Sequence, residues 1–110
     1  MFLGPEKGLT PDRFVLLKYK DQFAILAGVD GTWRRSTAIV STEKDGDKYF
    51  VKTRSGSEYA LNPFYIGFTL ATSGIWAQIE ELDTDKIVEL VHEQDDIIFV
   101  LDSFLEVKNG

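Results

Sequence analysis

Two rhythms of apolar residues run along this chain, and they change over near Asn62. Before that point the apolar positions alternate. In the segment 13–20 (RFVLLKYK), Phe14, Leu16 and Lys18 interleave with Val15, Leu17 and Tyr19, and Asp21 ends the run. The segment 22–29 places Phe23, Ile25, Ala27 and Val29 on one face, because successive side chains of a strand point to opposite sides. Asp30-Gly31 then supplies a hairpin turn, since a two-residue turn with positive φ favours Asp and Gly. The chain returns over 33–42 around Ala38, Ile39 and Val40, turns at Asp45-Gly46, runs over 48–54, turns at Ser55-Gly56 and returns over 57–61. Short strands joined this tightly predict an antiparallel meander. A meander must curl or be covered to bury its apolar side, so a small SH3-like or partly open barrel is expected.

Beyond Asn62 two patterns compete. Asn62-Pro63 before an apolar run, with Gly74 further on, is helix punctuation. Yet Phe64, Ile66, Phe68 and Leu70 alternate with Tyr65, Gly67, Thr69 and Ala71, and a buried strand over 64–71 is the preferred reading. Ile75, Trp76, Ile79 and Leu82 recur at helical spacing. The stripe resumes at Ile87, Leu90 and Val91 after a slip at Lys86, which predicts a second helix, capped by Asp83 and ended by Asp95-Asp96. Residues 97–101 (IIFVL) read as a strand buried on both faces, extended by Leu105 and Val107.

The predicted fold is therefore α+β. One domain spans 1–110, with a loosely ordered start over 1–12, the meander over 13–62, and a mixed, acidic part over 63–110. That last part holds two short helices and a C-terminal strand. The expected interior is Val15, Leu17, Phe23, Ile25, Ile39, Tyr49, Val51, Leu61, Phe64, Ile66, Phe68, Trp76, Ile79, Leu90, Val91, Ile98 and Val100.

Composition narrows the function more by exclusion than by suggestion. The 110 residues are 44% hydrophobic and 27% charged, which is ordinary globular usage. Without cysteine there is no disulfide framework, thiolate nucleophile or zinc knuckle, and a single histidine excludes a multi-histidine metal site. No Gly-x-Ser-x-Gly elbow and no Gly-Lys-Ser/Thr phosphate loop occurs. Glu89 and His92 have the spacing of a carboxylate-bridged metal motif, but such sites need two copies on facing helices. No catalytic residue, metal site or cofactor is assigned, and the chain is expected not to be an enzyme. The start MFLGPEKG lacks a cationic, signal-like lead, and the uncharged stretch 59–79 is interrupted by Asn62, Pro63, Gly67 and Gly74. A cytoplasmic protein with no membrane partner is expected.

Charge adds the one sharp feature. The net of −6 conceals a split: residues 1–62 carry ten Lys or Arg against eight acids, while residues 63–110 carry two Lys against ten acids. On the predicted second helix Asp85, Glu89 and Glu93 would form an acidic ridge, with Glu81 upstream. A carboxylate row can occupy a basic groove on another protein as a phosphate backbone would. Small phage-encoded inhibitors are a class-level parallel. The leading expectation is thus a non-catalytic protein-interaction module that meets a basic partner through Glu81, Asp85, Glu89 and Glu93, with pairing into a homodimer as a further option. Trp33, followed by Arg34 and Arg35 just past the turn, is a candidate anchor. The alternative is a nucleic-acid platform on one strand face, with Lys48, Phe50, Lys52 and Arg54 joined by Arg34 and Arg35. The plain reading of both features is a solvated, soluble surface.

Overall fold

A computed structural model describes residues 8–105. Seven strands and two helices follow in the order β1 (Arg13–Tyr19), β2 (Gln22–Val29), β3 (Thr32–Arg35), β4 (Ile39–Asp45), β5 (Lys48–Thr53), β6 (Glu58–Leu61), α1 (Leu70–Leu82), β7 (Val88–Val91) and α2 (Gln94–Ser103). A single 3₁₀ turn, Pro63–Tyr65, precedes α1. The fold is α+β. All strand pairings within its sheets are antiparallel, and the sheet orders are β3-β2-β1-β7 and β4-β5-β6.

The meander does not close into a barrel. It divides between β3 and β4, where the expected single strand 33–42 is interrupted. The reason is Ser36. Its N–H donates to the Ile25 carbonyl (2.9 Å) and its hydroxyl accepts from the Ile25 N–H (2.8 Å), so the chain leaves β2 there and crosses to the second sheet. The preceding hairpin is the one expected: Asp30 and Gly31 both adopt left-handed φ, 50° and 78°, as a turn matched to strand twist requires. Leu9 bridges to Tyr59, so the chain is already paired before β1; the rest of the expected loose start, residues 1–7, lies outside the described residues.

The four-stranded sheet is covered on both faces, which explains the unbroken apolar run in β1. Phe14, Leu16, Ile25 and Ala27 face the second sheet, where they meet Ile39, Tyr49, Val51 and Leu61, and also Ile97, Val100 and Leu101 of α2. Val15, Leu17 and Leu26 face α1 and pack with Ile75, Trp76 and Ile79. Gly28 allows that close packing. A Cβ there would lie 2.4 Å from Thr69 Cγ2, at the N-cap of α1. Thr69 and Thr72 close the helix start reciprocally, each side chain accepting from the other's N–H.

The C-terminal part contains two helices and a strand, but not in the expected places. Residues 64–71 are not a strand. Asn62 caps the 3₁₀ turn, Ile66 makes a single bridge to Phe14, and Phe64 and Phe68 are exposed rather than interior. Residues 84–93 are not a helix either. The Asp83 carboxylate accepts from the N–H groups of Ile87 (2.9 Å) and Val88 (2.7 Å), reversing the chain so that β7 pairs with β1. Residues 97–101 belong to α2, whose inner positions Ile97, Val100 and Leu101 are spaced for a helix face. Asp95-Asp96 therefore opens a helix, where carboxylates favour the N-terminal dipole, instead of closing one. Phe23, Ile66, Trp76, Ile79, Leu90, Val91 and Ile98 are half-buried and complete the periphery of the core. Leu105 makes one bridge to Thr42, and the extension through Val107 lies outside the described residues.

Candidate functional site

The acidic ridge expected on one helix is distributed over four elements. Glu81 lies on α1, Asp85 in the turn that follows, Glu89 on β7 opposite Lys18, and Glu93 at the N-cap of α2. All four are exposed, and no helix unites them. Glu89 and His92 sit on a strand and the residue after it, so their helical spacing is lost. Trp33 does not join the acids. It is 43% exposed on β3, at the opposite edge of the four-stranded sheet from β7.

The basic platform is not assembled as expected. Lys48, Phe50 and Lys52 do share the outer face of β5, but Arg54 follows the strand and Arg34 and Arg35 belong to the other sheet. The outer face is also mixed in sign. Asp45 lies opposite Lys48, Glu43 opposite Phe50, and Glu58 opposite Lys52, with Lys52 Nζ 3.8 Å from Glu58 Oε1.

The structure instead concentrates acidic and aromatic character on α2. With Ile97, Val100 and Leu101 turned inward, the outward stripe is Asp95, Phe99 and Asp102, at i, i+4 and i+7, with Asp96 beside it. Phe99 is 77% exposed. Glu93, the one expected site residue adjoining this stripe, makes no side-chain cap and stands 3.6 Å from His92 Nδ1.

The helix is held at both ends. Gln94 Nε2 donates to the Pro63 carbonyl (2.9 Å), which sets the start of α2 against the 3₁₀ turn and the exposed Phe64. At the far end the Thr42 hydroxyl donates to the Leu101 carbonyl (2.8 Å), and the Tyr49 hydroxyl donates to Asp102 Oδ1 (2.6 Å). Burial, followed by the hydrogen bond to Asp102 and its charge, pushes the Tyr49 hydroxyl up to about 12. That hydroxyl therefore stays protonated and keeps donating well into alkaline pH. A pinned helix carrying an exposed ring suits recognition, because ordering it on contact costs little further entropy.

Phe99 is missed by the sequence reading, which takes IIFVL as a strand. Its signal was there nonetheless. Two aspartates followed by apolar residues at 97, 100 and 101 describe a capped amphipathic helix with 99 facing out. Among the described residues, no group of three or more His, Asp or Glu is placed to hold a metal ion, and no helix is long and apolar enough to cross a membrane. No protein-family model matches the chain, and no curated protein or solved structure matches it.

Proposed function

We propose that this chain is a non-catalytic protein-interaction module, acting in the cytoplasm, which contacts a basic surface of its partner through an acidic helix. That helix is α2. The observation that carries the reading is Phe99, a large ring left about three-quarters exposed on a rigid helix among carboxylates. Binding energy at interfaces concentrates in a few large anchors surrounded by a polar rim, and Phe99 with Asp95, Asp96 and Asp102 has that form. The carboxylates would steer a basic partner and set orientation, and the ring would supply the desolvated contact. Occupying a basic groove in this way would make the protein an inhibitor or regulator. The nucleic-acid reading is weaker, because acids stand opposite the cations of β5.

Phe99→Ala tests this. The ring is exposed, so the melting temperature should barely move, with the change in stability within about 0.5 kcal/mol. Capture of partners that wild type retains at low salt and releases at high salt should fall by roughly thirtyfold or more, as loss of an anchor residue implies. Undiminished capture by the variant would refute the role of α2.

A further inference from the structure

An open groove of about 420 Å³ lies on the α1 side of the four-stranded sheet, toward the β1–β2 hairpin. It crosses the strands. Arg35 on β3, Ala24 on β2, Leu17 on β1 and Val88 on β7 each contribute to it, and Ile79 of α1 forms a wall. Adjacent strands are about 4.8 Å apart, so Arg35 and Val88 are separated by about 14 Å across the sheet. The register, with Arg35 in line with Val15 and Val88 opposite Tyr19, sets them four residues apart along it, a path of about 20 Å.

Small side chains leave the groove open, Ala24 on β2 and Ala38 just beyond β3. Toward the middle of the sheet, Leu26 on this face of β2 is fully buried against α1. Two residues earlier the same face carries Ala24, directly opposite Leu17, and nothing larger fills the space. The lining is mostly apolar, with Tyr19, Gln22 and Ser36 as neutral polar groups. Arg35 is its only charged residue among the described ones. No ion pair or hydrogen bond engages that guanidinium among the described residues. A protein of net charge −6 thus presents, at the end of an apolar trough, an unengaged cation with no acid in the lining.

We propose that this groove binds a medium-chain alkyl carboxylate, with the carboxylate on Arg35 and the tail over Ala24 and Leu17 toward Val88. The charge complementarity is specific, because a guanidinium accepts a carboxylate through two parallel hydrogen bonds. The volume falls in the range of about 300–1,000 Å³ usual for small-molecule sites. With part of that path spanned by the Arg35 side chain itself, the remaining elongated trough suits an extended medium chain rather than a compact ring. This site is separate from the face of α2 and stands whether or not that face binds a protein.

The test is titration of isotope-labelled protein with sodium decanoate below its micelle concentration, followed by amide chemical shifts, with decanol as the uncharged counterpart. Decanoate should saturably shift the signals of Leu17, Ala24, Arg35 and Val88 and leave those of α2 in place. Arg35→Gln should weaken decanoate by about tenfold, as loss of a charged hydrogen-bond partner does, and leave decanol unchanged. Ala24→Phe should abolish the response by filling the floor. Since a larger side chain there could disturb the fold, the exposed Arg35→Gln substitution decides on its own. No saturable shift, a response centred on α2, or equal affinity of wild type and Arg35→Gln for decanoate would each overturn the proposal. Binding of an acidic peptide in the groove without any response to decanoate would overturn it too.

Discussion

Two phenylalanines leave the surface of this protein in contrasting company. Phe50, 41% exposed on the outer face of β5, has Glu43 across from it on β4 and Ala60 across on β6. Its neighbours along the strand, Lys48 and Lys52, each face an acid on an adjacent strand. Phe99 stands among Asp95, Asp96 and Asp102, and no ion pair reaches Asp95 or Asp96 among the described residues. An exposed ring alone therefore says little. The balance of charge around it separates a face that is compensated within the fold from one whose charge is left for a partner.

The contrast can be broken most forcefully from beneath. Leu101 is fully buried under α2, and Leu101→Ala should cost about 2–5 kcal/mol, through lost burial and the cavity left behind. Because Leu101 anchors α2 and not the outer face of β5, hydrogen exchange should rise first in residues 97–103. Uniform loss of protection, with β5 opening as early as α2, would show that the two faces are not independently supported.

Tyr49 joins the two regions, since it lies on the inner face of β5 and bonds to Asp102 of α2. Its hydroxyl is raised from 10.0 to about 12 in the fold. Between those values the native state holds a proton that the unfolded chain has released, so stability falls as pH rises. The contribution is complete below pH 10.0, is lost progressively as pH climbs to about 12, and amounts to something on the order of 2 kcal/mol. Denaturant unfolding across that range should show this loss in wild type and a flatter profile in Tyr49→Phe. Identical profiles would dissociate the bond from the stability of α2.

The smallest effect belongs to the compensated face. Lys52 and Glu58 form a largely exposed pair, Lys52 in solvent and Glu58 half-buried, of the kind worth about 0–1 kcal/mol, and Lys52→Ala should change stability by no more than about 1 kcal/mol. It should also leave partner capture unchanged. A large effect on capture would move the binding face from α2 to β5.

The same two regions differ in how far they can be read from sequence. β5 shows its fold plainly: Tyr49, Val51 and Thr53 go in while Lys48, Phe50 and Lys52 go out, and a two-residue period has one interpretation. α2 does not, because a five-residue apolar run fits a buried strand or one side of a helix equally. Residues 84–93 misled for another reason. Their apolar spacing suits a helix, but Asp83 captures the two N–H groups of Ile87 and Val88, and β1 offers an edge for pairing. Such tertiary bonds leave no periodic trace. An acidic element was legible from composition, yet its position was set by contacts from Pro63, Thr42 and Tyr49, residues distant in sequence. The groove at Ala24 was invisible for the same reason, since a small residue on a strand marks a hollow only once its neighbours are known.

The most direct measurement compares the two rings in one experiment. A photoreactive phenylalanine analogue placed at position 99 or, separately, at position 50 would be irradiated in cells and the covalent products resolved by mass. The account predicts a discrete protein adduct from position 99, suppressed when Asp95 and Asp96 are changed to Asn, and none from position 50. An adduct from position 50 without one from position 99 would contradict it.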